Sequence, residues 1–332
     1  MPMTSESSRT TLSKDQSISI LKRMILVRHF EQLAEGAYYQ GKIGGFFHSS
    51  IGQEAIATTA VEAFGKNQWY IATYRVHSIA LSLEDNPNSY MAELYGKSSG
   101  NTLGRGGSMH FVLDNLLGGF GIVAGHLPIA AGAAFSSKYL NQGKVAICFL
   151  GDGASAMGAF YESLNLGTLW ELPVIYIIEN NSWGMGTSYE KAMSVHPLGE
   201  KIAKMFGLKG FELDGMSVRA CYEGFSKALE YIKKQTKPIV IEVKTERFRG
   251  HSVSDPGLYR SKDELKKAMK QDPIIHFKEQ LLKKKWISNE QFEQFNEAAK
   301  KRVLEAIEYA EKAPWPDPLY LEEGVFAKET QI

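Results

Sequence analysis

Two short segments in the middle of the chain carry residues suited to gripping a charged ligand. Gly151-Asp152-Gly153 closes an apolar run from Val145 to Leu150, and Asn180-Asn181 closes a second from Val174 to Glu179. Asp152 offers a carboxylate oxygen and Asn181 an amide oxygen, while Gly151 and Gly153 allow a ligand close to the backbone. Each segment alone reads as an ordinary turn. If the two runs are neighbouring strands of a parallel sheet, however, both ends emerge on one edge, where open α/β sheets bind ligands. One carboxylate and one amide cannot fill the octahedral shell of magnesium, which is completed by carbonyls, water and a ligand's own phosphate oxygens. The helix expected after Ala154 can turn backbone N–H groups and its dipole toward such an anion.

Other residues carry chemistry only in company. His48, after two phenylalanines in GGFFHSSIGQEA, reads on its own as a structural loop residue. Tyr74-Arg75 reads as surface, although a guanidinium can bond two phosphate oxygens at once. Gly119-Phe120-Gly121 superficially suggests a dinucleotide loop. No strand is expected before it and the third glycine is out of register, so that reading is set aside.

The elements that would hold these residues follow from pattern. Val145–Leu150, Val174–Glu179 and Ile239–Val243 are short apolar runs suited to strands buried on both faces, with a helix from about Ala156 to Trp170 between the first two. That alternation predicts an α/β fold, a mostly parallel sheet flanked by helices. Ser13 and Gln16 form a capping-box pair that opens a first helix, and a second runs from about Gln53 to Phe64. Tyr70–Thr73 reads as extended, Asn86-Pro87 as an N-cap and first helical position, and residues 98–126 as glycine-rich and irregular. Beyond residue 260, Ser261–Glu264 and Ser288–Gln291 open long charged helices, which Pro314 and Pro316 end. The expected organisation is a disordered tail at 1–12, one α/β domain over 13–260 and a helical extension over 261–332.

Composition narrows the function classes. The 332 residues are 44% hydrophobic and 23% charged, with a net charge of +1. A large core is affordable, and nothing in that balance argues for a nucleic-acid or membrane partner. Cys148 and Cys221 are too few for a disulfide framework, and Cys148 reads as a buried thiol inside its strand. The N-terminal residues lack a hydrophobic signal core and make a poor transit peptide, so the expected compartment is the cytoplasm.

GDG followed by NN at this separation resembles the thiamine-diphosphate fingerprint of transketolase-like and 2-oxoacid dehydrogenase enzymes. ENNSWGMGTS is similar to the alpha subunits of the pyruvate-type branch. HSSIGQEA, TYRVHS, GRGGSMHF, GGFGIVAGHLP and RFRGHSVSDPG extend the resemblance, in order, over roughly residues 15–325. It implies a thiamine-diphosphate-binding fold with Mg2+ held by Asp152, Asn181 and the Trp183 backbone carbonyl. It implies cofactor contacts from His48, Tyr74, Arg75, Gly121, Ile122, Val123, Gly151, Asp152, Gly153, Ala154, Asn181, Trp183 and His251. His48 and His251 become the expected catalytic residues, since imidazole titrates near operating pH; His251 would sit on a loop that orders on binding.

The implied reaction decarboxylates pyruvate on the cofactor and passes the acetyl group to a lipoyl group of the dihydrolipoyl acyltransferase. The implied partner is a beta subunit in an α2β2 heterotetramer, which supplies the glutamate that activates the pyrimidine. Acetoin and branched-chain dehydrogenase alpha subunits, and a non-catalytic scaffold, are the competing readings. Relatives often read GDGAxNQG where this chain has Ala156 and Met157, which puts polar contacts beyond the metal in question. His126 stands where many relatives have Gln, and Ser252 and Ser254 are read as loop-stabilising.

Overall fold

A computed structural model of the protein describes residues 11–322. The tail expected at 1–12 falls, up to residue 10, outside the described residues. Six strands form one parallel sheet: β1 (Trp69–Thr73), β2 (Leu116–Phe120), β3 (Ala146–Gly151), β4 (Val174–Asn180), β7 (Lys209–Asp214) and β8 (Ile239–Lys244), in the order β2-β1-β3-β4-β8-β7. A small antiparallel hairpin, β5 (Trp183–Gly184) with β6 (Thr187–Ser188), follows β4.

The three apolar runs form neighbouring central strands because both of their faces are covered. Along β3, Ile147 and Phe149 enter one core cluster while Ala146, Cys148 and Leu150 enter the other; β4 alternates likewise. That two-sided burial is the reason these strands read as continuous apolar sequence rather than as alternation. One layer is built from α1 (Lys14–Tyr39), α2 (Glu54–Phe64), α3 (His77–Leu83), α4 (Pro87–Leu94) and α9 (Val218–Gln235). The other contains α5 (Leu127–Tyr139), α6 (Gly158–Leu169) and α8 (Leu198–Met205), with the single turn α7 (Tyr189–Ala192) before it. The C-terminal helices α10 (Lys262–Met269), α11 (Pro273–Lys283) and α12 (Asn289–Lys312) follow β8, and α12 lies against α1 and α4. The capping boxes at Ser13, Ser261 and Ser288 all form, and Asn86 caps α4 with Pro87 at its first position.

Two expectations are corrected. The stretch 98–126 is not wholly irregular, since Leu116–Phe120 is the edge strand β2; its glycines replace the β-branched residues that usually signal a strand. The dinucleotide reading stays excluded, because the next helix opens only at Leu127. The helix expected close behind Ala154 begins at Gly158. Asp152–Ala156 forms a 3-10 turn instead, tightened by the Ser155 hydroxyl donating to the Asp152 carbonyl at 2.6 Å. Among the described residues no helix is long and apolar enough to cross a membrane, and both cysteines are buried free thiols.

Candidate active site

The strand order decides where a ligand goes. From β1 the chain steps to β2 on one side and later to β3 on the other, so the strand order reverses between β1 and β3 while the strands stay parallel. Loops leaving the carboxyl ends of such strands diverge and open a crevice. The protein has a cavity of about 240 Å³ there. Its walls follow the strands in turn: Thr73, Tyr74 and Arg75 after β1; Phe120, Ile122 and Val123 after β2; Gly151, Asp152, Gly153 and Ala154 after β3; Glu179, Asn181 and Trp183 at the end of β4; Arg247 and His251 after β8. Of the residues expected here, all but His48 and Gly121 line the cavity. His48 is one ring away, with its centroid 4.3 Å from Tyr74 and 5.1 Å from His251. Gly121 adjoins Ile122 in the same loop.

Asp152 and Asn181 thus reach the same space from adjacent strands, whose last paired residues are Gly151 and Glu179. One Asp152 carboxylate oxygen, Oδ2, is buried without a partner. Burial raises the Asp152 pKa to about 6, although nearby backbone N–H groups and Arg247 pull it back. Asn181 is oriented on both sides: its Nδ2 donates to Gln53 Oε1 at 3.0 Å, and its Oδ1 accepts from the Trp183 N–H at 3.3 Å. Gly153 lies so close to the hairpin that a Cβ there would stand 3.4 Å from the Gly184 Cα. Among the described residues no cluster of three or more His, Cys, Asp or Glu side chains could hold a metal. One carboxylate, one amide and a carbonyl form an oxygen set that suits magnesium with a phosphate ligand, not a thiolate or imidazole metal.

The opposite wall is cationic. Arg75 and Arg247 are buried, and neither joins an ion pair among the described residues. Burial and the neighbouring Arg75 lower the Arg247 pKa to about 10. A shift of that size corresponds to about 3 kcal/mol of electrostatic cost that a bound anion would offset. Two buried, unneutralised guanidiniums facing an unpartnered carboxylate oxygen fit a metal-bound diphosphate.

Arg75 also fastens loops. Its guanidinium donates to the Ser49 carbonyl and, at 3.0 Å, to that of His251, so one side chain holds both histidine-bearing segments. Backbone bonds from Val253 to Phe47 at 2.9 Å and from Phe248 to Ile51 at 3.0 Å complete the seam. Gly52 is required in it: φ is +100°, and a Cβ would meet the Glu246 carbonyl oxygen at 2.3 Å. Ser252 and Ser254 share a hydrogen bond of 3.0 Å within the second segment.

The two imidazoles are more perturbed than their type suggests. Burial, then Arg75, lowers His48 to about 3; burial, then Arg75 and Arg247, lowers His251 to about 4. Without an anion in the cavity both are neutral at pH 7, which corrects the expectation that they titrate near operating pH. Burial likewise raises Glu179 to about 7, opposed by Arg75.

Gln53, Thr73, Phe120, Glu179 and Arg247 were not singled out from sequence. All five lie inside segments that were, HSSIGQEA, TYRVHS, GGFGIVAGHLP, ENN and RFRGHS, but only three-dimensional proximity shows that they line the cavity. His126 lines the cavity too, its Nε2–H donating to the Phe149 carbonyl at 2.8 Å. Ala156 and Met157 are exposed and do not line it.

The dehydrogenase E1 component family matches residues 22–319 of this chain. The pyruvate dehydrogenase E1 component subunit alpha of Rickettsia conorii is 40% identical over 307 residues, covering 92% of this chain and 94% of the relative. The subunit of the same name from Porphyra purpurea is 37% identical over 336 residues, 98% and 97% of the two chains. The chloroplastic subunit alpha-3 of Arabidopsis thaliana is 36% identical over 324 residues, 95% and 76% of the two.

Proposed function

The chain belongs to the dehydrogenase E1 component family, thiamine-diphosphate-dependent enzymes, and from that membership we propose that it is the alpha subunit of an acetyl-transferring pyruvate dehydrogenase. The observation that carries the reading is the pairing of Asp152 and Asn181 at adjacent strand ends with two unneutralised guanidiniums across one cavity.

In this reading Asp152, Asn181 and the Trp183 carbonyl hold Mg2+, and Arg75, Arg247 and Tyr74 meet the diphosphate. Gly121, Ile122 and Val123 face the aminopyrimidine, while Gly151, Gly153 and Ala154 let the backbone come close. Thiamine diphosphate, when bound, supplies the electron sink for loss of carbon dioxide from the 2-oxoacid. His48 and His251 hold and move protons beside the reacting carbon. Anionic charge next to Arg75 and Arg247 raises both imidazoles back toward neutral pH, so cofactor binding itself prepares them for that work.

A partner fits the exposed apolar side chains around the opening. Ile122 is 77% exposed, and Phe46 and Met185 are 62% and 65% exposed. Apolar residues grouped at the mouth of a site favour burial against another subunit, here the beta chain of an α2β2 heterotetramer, with acetyl passing to a lipoyl domain of the acyltransferase. The chain is read as one domain with a helical extension, working in the cytoplasm, whose reducing interior suits its two free buried thiols.

The test is co-expression with the beta chain, followed by decarboxylation assays with pyruvate, acetoin and branched-chain 2-oxoacids. Preference for pyruvate, and no turnover by the alpha chain alone, is the expected result. Preference for another substrate, or turnover by the isolated chain, contradicts it; failure to bind thiamine diphosphate with Mg2+ favours a scaffold.

A further inference from the structure

Two residues beyond His48, the N–H and hydroxyl of Ser50 both donate to Glu31 Oε1 on α1, at 2.9 and 2.7 Å. Glu31 Oε2 faces His77 Nδ1 on α3 at 3.1 Å. On the far side, His77 Nε2 lies 3.0 Å from both the carbonyl and the hydroxyl oxygen of Ser108. The side chains of Glu31 and His77 are completely buried, and neither lines the cavity. The imidazole is enclosed by the rings of Phe30, Phe47 and Phe111, with centroids 5.9, 5.1 and 5.2 Å away.

Such a pair is a costly choice for an aromatic pocket. Apolar side chains of the same volume often serve stability as well as a buried polar pair does, whereas a hydrogen-bonded pair fixes geometry in a way they cannot. Every polar atom here has a partner, so the arrangement admits little movement at either end. The Ser108 end is itself fixed. The buried carboxylate of Glu93 accepts from the N–H groups of Thr102, Gly104, Gly106 and Gly107 at 2.8, 2.9, 2.8 and 3.1 Å. Two residues past Ser108, the ring of His110 borders Gly121: a Cβ on that glycine would lie 3.4 Å from His110 Nε2. The chain of contacts therefore starts at Gly121, next to the cavity-lining Ile122, and ends beside His48.

We propose that Glu31 and His77 are positioning residues for His48: they lock the segment carrying it to the Ser108 loop and set the imidazole against the cavity. This rests on the reading of His48 as a catalytic group. Because the pair touches no ligand, its removal acts on turnover through His48 and leaves the diphosphate and metal contacts intact.

The test is a double-mutant cycle on the co-expressed complex loaded with thiamine diphosphate and Mg2+. Glu31→Gln keeps the volume but must turn an amide N–H toward the Ser50 donors or toward His77. It is expected to lower kcat by about tenfold or more, because small misplacements of a catalytic group carry such costs. KM and cofactor affinity should stay within about threefold, as interactions made only at the reacting centre act on kcat. In a His48→Ala background the same substitution should cost less than about twofold, since coupled residues are non-additive. Ser50→Ala, which removes one donor and leaves the pair in place, should give a smaller loss that also disappears in that background, and it carries the cycle if Glu31→Gln does not fold. Persistence of the full cost without His48, or a kcat loss matched by lost cofactor affinity, overturns the positioning role. Unchanged turnover in His48→Ala alone overturns the assignment of His48 and the proposal with it, a result recognisable because Glu31 is untouched.

Discussion

The cavity has two kinds of wall. Asp152 and Asn181 stand at the ends of β3 and β4, strands that pair over six registered positions and are covered on both faces. His48, Arg75 and His251 come from segments far apart in the chain and are held by a few polar contacts, with Arg75 bonding two carbonyls. The strand ends inherit their placement from the core. The loops depend on single side chains. Precision that comes from packing should resist conservative substitution nearby, whereas precision that comes from one guanidinium should not.

The largest effect is expected where the rigid wall meets the ligand. Asp152→Ala should lower turnover of the complex by on the order of 10³-fold and abolish Mg2+-dependent binding of thiamine diphosphate in calorimetry, because it removes the only carboxylate of the donor set. Its thermal stability should not fall. Retained Mg2+-dependent binding would remove the distinction between the walls.

Next comes the clasp. Arg75→Lys keeps the charge but cannot bond the Ser49 and His251 carbonyls at once. Turnover should drop about 10²-fold, the scale on which misplaced catalytic groups act, with cofactor affinity reduced less. Wild-type kcat in this variant would show that the backbone seam alone holds the loops.

The loops should also be the acid-sensitive region. Unfolded, His48 takes a proton near 6.5, the ordinary imidazole value; folded, it stays neutral until about pH 3. The unfolded chain therefore binds more protons between those values. The stabilisation is complete above pH 6.5 and declines as the pH falls below it. In cofactor-free complex, the loss of stability between pH 7 and pH 5 should shrink by about 1–2 kcal/mol when His48 is replaced by Asn, the expected size for a buried imidazole over that interval. Denaturant titrations at the two pH values check this, and an identical loss in both proteins refutes it.

The smallest change is expected just past the rigid wall. Ala156→Asn with Met157→Gln restores the polar residues of the related motif at exposed positions outside the cavity. Activity should change by less than about threefold, as for exposed positions away from the chemistry. A larger change would show that these positions belong to the site once the beta chain is bound.

What could be read from sequence divides along the same line. The strands β3, β4 and β8 and their terminal residues were legible, because burial on both faces writes a continuous apolar run and a turn residue must end it. β2 and β7 were not, for they are edge strands: two of the five residues of LLGGF are glycine and KGFELD is largely polar. α5, rich in Ala, Gly and Ser, shows no strong apolar stripe. Arg247 and Glu179 escaped because burial of a charge beside other charges is a property of the assembled loops, not of local pattern. The neutral state of His48 and His251 is hidden from sequence for the same reason: it comes first from burial in the assembled loops and then from Arg75, 27 positions beyond one and 176 before the other.

The central claim is that two adjacent strand ends share one divalent ion which holds a diphosphate. A crystal structure of the co-expressed complex with thiamine diphosphate and Mn2+ in place of Mg2+ tests it, read by anomalous scattering. A single peak bonded to Asp152, Asn181, the Trp183 carbonyl and two phosphate oxygens, at about 2.0–2.3 Å, is the predicted result. A peak that misses either Asp152 or Asn181, or a diphosphate bound with no ion between them, contradicts the account.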